Sequence, residues 1–538
     1  MLVEFKLSGE LLLFNYQNPI LKYYNSEKNN IVDNYSFKEN IDFHNCIFDI
    51  SFFHIVNESI EQIIVPCSPR FELYYLCQND QYYFFDNYFE AIKILENPKI
   101  DNDEVNSFHS KMTCKSGNTF HSEIKRLIPG RKYFLNNNIL VYEDYMPIDG
   151  LNLNYTDFKT RFEACVKNIT EGKDVALLLS GGVDSTAIGL AASKFSKSLR
   201  TYTMRYIPLQ SGIEADAIIA KKTSDDNNWI HKVIDIEFTG NLKKLINLYS
   251  SEIPLVCGLP HGYNGLLETM KSDNIEIALT GQNADLLTYF GATAKFKLNR
   301  EGIVAFIRRL FLSKYYCRFL DRRESYLNKI SSVFIYLFGY FVSVFYSLYK
   351  KEQFRQPKNI SELFQYSIEN PDSIPFVKKN NLKTDHDKSY LSVPSVLNAD
   401  NFHFYLLRHR LGSDMMLSDS QLIKVAGKLN NVLVDFPFST NSLVYFFMNR
   451  ELGLKSLFDA KNFIDRYVQE NYPKYSKKIN IIKKEKSFEP HEWAEKILTN
   501  GNIPLNNDGI IRTKFGELYF NVSKLWSKNV HFLFKQKK

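Results

Sequence analysis

From residue 175 to about 290 the apolar and polar positions fall into alternating blocks. Strands are suggested at 175–179, 201–206, 231–236 and 275–279, and the first, Val175 to Leu179, is a continuous apolar run of the kind covered on both faces. Helices fit the intervening stretches at 185–196, 213–225, 240–250 and 262–271. This alternation predicts a parallel sheet flanked by helices, with ligands bound at the carboxyl ends of the strands. Residues 1 to about 145 are patterned differently. Ile63-Ile64-Val65, the run 71–77 and the run 82–85 are short strand-like segments, and Asn79-Asp80 would close a hairpin. The runs 131–135 and 139–142 flank Asn136-Asn137-Asn138, a second hairpin. A helix over 151–170 leads into the alternating region. Beyond about 295 the pattern is mainly helical, at 303–323, 330–350, 359–368, 401–411, 418–428, 440–450, 457–470 and 491–499. Polar, proline-containing connectors occupy 354–359 and 370–387. The fold class is therefore α/β: an N-terminal β-rich α+β domain, then a parallel α/β sheet with a mainly helical C-terminal part.

A chain of 538 residues is too long for one core, so two or three domains are expected. Apolar content of 44% is ample for globular packing. A net charge of +7 is modest for this length, and no basic face with interleaved aromatics in a nucleic-acid module is seen, so no nucleic-acid partner is expected. The cluster Lys477, Lys478, Lys483, Lys484 and Lys486 fits a solvated face or a substrate phosphate. Seven scattered cysteines with no CxxC pair and no zinc spacing read as reduced core thiols of a cytoplasmic protein. The first residues, with an early acid at Glu4 and no basic region, do not read as a signal peptide. The segment 330–349 has no charge and is flanked by Lys329, Lys350 and Lys351. Its serines and tyrosines dilute it below a membrane span, which leaves a packed helix as the preferred reading. A peripheral contact with the inner face of the membrane through 303–350 is the alternative.

The sharpest chemistry lies in Ser180-Gly181-Gly182-Val183-Asp184-Ser185. A buried strand ends in a tight glycine turn, and a helix follows. Glycines let the backbone approach a ligand, and the helix start favours anions. An acid beside phosphates suggests Mg²⁺. No Gly-Lys-Ser/Thr follows, so this is not the Walker-type loop. The run Thr280-Gly281-Gln282-Asn283-Ala284-Asp285 repeats the logic: apolar strand, glycine turn, acid at a helix start. Either acid alone could cap a helix. Together, Asp184 and Asp285 on neighbouring strand ends could share one Mg²⁺ on pyrophosphate oxygens.

The first run resembles the pyrophosphate loop of ATP pyrophosphatases, and the second is similar to the second signature of asparagine synthetase-like enzymes. Phe85-Asp86, Ala91-Ile92, Thr119-Phe120, the run Ile124-Lys125-Arg126-Leu127 and Pro129-Gly130 resemble the end of that family's amidotransferase-type domain. Phe436-Pro437-Phe438 with Leu443-Val444 resembles a third family motif, and Lys483 to Pro490 with Trp493 a fourth. The resemblance implies a domain at 1–148, then a synthetase domain at 149–538 with a helical insertion at 295–370. It implies ATP and Mg²⁺ as cofactors, with cleavage of ATP between the α and β phosphates.

Three departures narrow the implied activity. Glutamine-dependent members carry a nucleophilic Cys after the initiator Met, whereas position 2 here is Leu2, so no glutaminase half-reaction is expected. That pattern resembles β-lactam synthetase and the lasso-peptide macrocyclases, which join an internal amine to an adenylated carboxylate. In register with Phe488, the family's catalytic lysine falls on Glu485, flanked by Lys484 and Lys486. Position 282 carries Gln282, where other members have Glu or Tyr.

The resemblance then assigns Ser180, Gly181, Gly182, Ser185 and Gly281 to the nucleotide, with Asp184 and Asp285 to the metal. Lys484 or Lys486 acts on the leaving AMP or the tetrahedral intermediate. Met204 lines the adenine site or is an ordinary core methionine. Glu214 reads first as a helix acid and second as a substrate contact, and His261 lies in a glycine- and proline-containing loop before the second signature. The implied activity is an ATP-dependent amide-forming ligase, a peptide macrocyclase or natural-product amide synthetase. Its partners are a substrate bearing a carboxylate and an amine, and a precursor peptide or a modification enzyme. An ammonia-using asparagine synthetase and a catalytically degenerate nucleotide-binding module are the alternatives.

Overall fold

The computed structural model describes short strands within 4–65, most of 72–144, 153–207, 213–237, 242–288, 414–450, 461–475 and 514–537, and Leu407. The N-terminal part is built from β1 (Glu4–Lys6), β2 (Glu10–Phe14), β3 (Ile20–Asn25), β4 (Asn30–Ser36), β5 (Phe52–Val56), β6 (Ser59–Val65), β7 (Tyr74–Gln78) and β8 (Gln81–Phe85). Two helices follow, α1 (Tyr88–Ile94) and α2 (Asn102–Lys111), then β9 (Lys125–Arg126), β10 (Arg131–Asn136) and β11 (Ile139–Asp144). They form three sheets, ordered β1-β8-β7-β9, β11-β10-β6-β5 and β2-β3-β4. Both hairpins expected from the asparagine-rich turns are present: Gln78 pairs with Gln81, and Asn136 with Ile139, each antiparallel.

The helix expected over 151–170 starts later, as α3 (Tyr155–Thr170). Asn154 sets its start. Its side chain accepts from the Thr156 and Asp157 amides, while the Asp157 carboxylate accepts from the Asn154 amide, a reciprocal cap. Strand β12 (Asp174–Leu178), α4 (Val183–Phe195), β13 (Ser198–Ile207), α5 (Ile213–Asp226), β14 (Ile230–Glu237), α6 (Leu242–Glu252), α7 (His261–Ser272), β15 (Ile277–Thr280) and α8 (Ala284–Thr288) alternate as the apolar blocks predict. Further on come α9 (Asp414–Asn430), β16 (Leu433–Asp435), α10 (Asn441–Asn449), α11 (Asn462–Asn471) and α12 (Lys514–Lys537).

The central sheet has five strands in the order β14-β13-β12-β15-β16, every neighbouring pair parallel. The fifth strand, β16, is an addition to the sequence reading. With three residues it is too short to show a period. Period-2 alternation divides the core. Val175, Leu177 and Leu179 face a buried layer with α3, α4 and α11, whereas Ala176 and Ala278 face α6, α7 and α9. The second layer continues without a break into β7, β8, α1 and α2 of the N-terminal part.

Helix α12 closes that junction, and the sequence reading missed it. Val522, Trp526 and Val530 recur at helical spacing and are buried. The Trp526 indole donates to the Ile253 carbonyl at 3.2 Å, and Ser527 pairs with His109 of α2 at 2.8 Å. The expected helices at 303–323, 330–350, 359–368 and 491–499, and 401–411 apart from Leu407, lie outside the described residues. Among the described residues no helix is long and apolar enough to cross a membrane.

Candidate active site

The chain leaves β12 at Leu179, whose amide still bonds the Tyr202 carbonyl of β13 at 2.8 Å. Its own carbonyl accepts from the buried Thr203 hydroxyl. The strand is thus held to its end, and Ser180 emerges exposed. Gly181 then adopts φ +71°, and a Cβ there would stand 2.5 Å from Ile219 Cγ2 and 2.9 Å from the Ala220 amide nitrogen. Only glycine satisfies both the backbone angle and the space. Gly182 is the N-cap of α4, and no side chain caps that end. Ser185 folds the turn on itself: its hydroxyl donates to the Gly182 carbonyl at 3.2 Å and lies 3.2 Å from the Ser180 hydroxyl. The result is a short, braced turn with hydroxyls and uncapped amides at its rim, the donor set an anion needs.

Strand β15 pairs directly with β12, with Leu178 in register with Thr280. The two turns therefore leave the sheet side by side. A Cβ on Gly281 would stand 3.0 Å from the Ser185 amide nitrogen and 3.3 Å from Asp184 Cβ. Asn283 follows at φ +68°. Its side-chain amide donates to Ser420 of α9 at 3.0 Å and to Ser439 at 2.6 Å, which anchors the second turn to the C-terminal part. Gln282 donates to the Tyr263 hydroxyl at 2.9 Å, and its buried Oε1 meets no hydrogen-bond donor among the described residues.

The two acids come together. Lys461, the N-cap of α11, donates to Asp184 Oδ2 and lies 2.5 Å from Asp285 Oδ1. Asp184 is only 15% exposed and Asp285 is 86% exposed, so the pair has an inner and an outer member. Burial pushes the Asp184 carboxyl up to about 6, against the Lys461 charge, and the charges of Asp285 and Asp465 add to the rise. Burial pulls the Lys461 ammonium down, but the Asp184 and Asp285 carboxylates outweigh it and hold the lysine above its ordinary value. Asp184 Oδ1 is buried with no hydrogen-bond partner among the described residues. A hard oxygen donor of this kind, beside a second carboxylate, would fit a magnesium ion.

The sequence reading picked out Asp184 and Asp285 but missed Lys461 and Tyr263. Lys461 falls inside the helix expected at 457–470, yet nothing local sets it apart from other helix-start lysines. Its partner Asp184 is 277 positions away. Met204 is half-buried and packs against the core layer of α6, α7 and α9. Glu214 lies in the first turn of α5 and His261 opens α7, but their side chains are not among those described. Lys484 and Lys486 lie outside the described residues.

Residues 157–333 match the asparagine synthase family. Over that stretch the chain is similar to asparagine synthases. The matched stretch contains both turns and both acids; the N-terminal and C-terminal motifs lie outside it. One relative is asparagine synthetase [glutamine-hydrolyzing] 1 of Bacillus subtilis (strain 168), 25% identical over 233 residues. That alignment covers 40% of this chain and 35% of the relative, so the chain spans about a third of the length of the curated relative it matches. Among solved structures, NMN synthetase from Francisella tularensis is similar at 13% identity and TM-score 0.18, covering 26% of this chain and 58% of that one. A predicted subunit of a tRNA methyltransferase from Methanocaldococcus jannaschii is similar at 19% identity and TM-score 0.15, covering 21% and 54%. Similarity at that level carries no functional weight.

Proposed function

We propose that this chain is an ATP-dependent, AMP-forming carbon–nitrogen ligase. The observation that carries the reading is the convergence of Asp184 and Asp285, from adjacent parallel strand ends, on one cation beside the braced Ser180–Ser185 turn. A substrate carboxylate oxygen attacks the α-phosphorus of ATP, the bond from that phosphorus to the β-phosphate oxygen breaks, and pyrophosphate leaves. An amine nitrogen then attacks the acyl carbon, AMP departs with the former carboxylate oxygen, and the nitrogen releases a proton. Ser180, Gly181, Gly182, Ser185 and Gly281 hold the phosphates. Asp184 and Asp285 would hold magnesium, which neutralises phosphate charge when bound. Holding amine and acyl-adenylate together removes a bimolecular encounter, worth about 7–11 kcal/mol in favourable cases. Lys484 or Lys486 is the proposed stabiliser of charge on the departing AMP.

Within that class we favour an internal amine over ammonia, a macrocyclase or natural-product amide synthetase. The relative named asparagine synthetase keeps the ammonia-using synthesis of asparagine as a second reading. The test is exchange of labelled pyrophosphate into ATP with candidate acids, followed by AMP release on adding amines. Exchange without asparagine formation from aspartate and ammonia removes the second reading. Absence of both exchange and AMP release with every acid and amine tried overturns the ligase and leaves a nucleotide-binding module.

A further inference from the structure

Lys461 stands where a divalent ion shared by Asp184 and Asp285 would have to stand. Two carboxylates facing one point repel each other, and the lysine ammonium removes that repulsion. It reaches both from the N-cap of α11, while the backbone of that helix is fixed by the packing of Ile464, Tyr467 and Val468 against α3 and α4. The charge rides on a flexible four-carbon stem, so it can swing without the helix moving. A free divalent ion must therefore displace a cation already bound. A metal–nucleotide complex meets no such barrier, because its phosphate oxygens give the ammonium a new anionic partner.

We propose that Lys461 is a built-in counter-ion that bars free divalent cations from the acid pair and yields the place only to the metal–nucleotide complex. Lys461 is then a positioning residue that sets the order of binding. The proposal rests on the reading of Asp184 and Asp285 as metal ligands, and its test is independent of whether the chain forms an acyl-adenylate.

The test is titration of Mn²⁺ into the full chain without nucleotide, with bound ion read by electron paramagnetic resonance. The wild type and Lys461→Arg are expected to bind weakly. Lys461→Met should bind one ion at least about tenfold more tightly, since displacing a half-buried ammonium costs more than an exposed pair. Adding Asp285→Asn to Lys461→Met should abolish the gain, which places the ion at the acid pair. Circular dichroism checks the fold, and Lys461→Gln replaces the Met variant if that one fails to fold. Equal Mn²⁺ affinity in wild type and the neutral variant overturns the proposal, and so does the absence of binding in both. Pyrophosphate exchange, measured separately, reports on the ligase reading.

Discussion

The backbone at Gly281 lies against the Ser185 amide: a Cβ added there would approach that nitrogen to 3.0 Å. The second turn thus packs on the first, at the point where α4 begins. Gly281→Ala has to push backbone away from backbone. It is expected to lower the pyrophosphate exchange rate by about a hundredfold through displacement of the phosphate turn. The accompanying loss of stability should be about 1–3 kcal/mol, read from urea unfolding.

The two acids should separate in stability but not in activity. Asp285→Asn alters an exposed side chain, so the melting temperature should hardly move, within about 0.5 kcal/mol of wild type. Asp184→Asn alters a largely buried one and should shift it measurably. Each should reduce AMP formation by about a hundredfold or more, measured with saturating magnesium.

Asn283 combines a left-handed backbone with two side-chain bonds to Ser420 and Ser439. Asn283→Ala loses both bonds and strains the backbone, and about 2–4 kcal/mol of stability should go with it. Asn283→Gly relieves the strain but not the lost bonds. Its unfolding midpoint should therefore fall between the other two.

Acid should loosen the junction made by α12. Burial first, then the Lys524 and His531 charges, hold the His109 imidazole below its ordinary value of 6.5. The unfolded chain accordingly binds a proton that the folded chain resists. The contribution of His109 is present above pH 6.5 and is lost as pH falls through its lowered native value. Thermal melts across pH 7 to 5 should show this decline, and His109→Gln, which cannot titrate, should flatten it.

The middle of the sheet was legible because its strands β12 and β15 are buried on both faces. Val175 to Leu179 and Ile277 to Leu279 are apolar runs that need no partner to be recognised. The acids were legible because each follows its strand at a fixed turn. Lys461 was not, since its role comes from where α11 docks on α4, a matter of tertiary packing. Strand β16 escaped because three residues carry no period, although it completes the sheet beside β15. Helix α12 was missed for a different reason. Its buried Val522, Trp526 and Val530 do carry the helical spacing, but among polar neighbours that weigh as much as they do.

The gap of 277 positions between Lys461 and Asp184 has a consequence during synthesis. A growing chain that has emerged as far as α8 presents two like charges at one spot and nothing to separate them. The phosphate-binding turns can fold at that stage, yet their acidic centre stays unbalanced until α11 arrives. Competence is therefore deferred until α11 has been made, and a product cut short before residue 461 should hold its sheet together poorly.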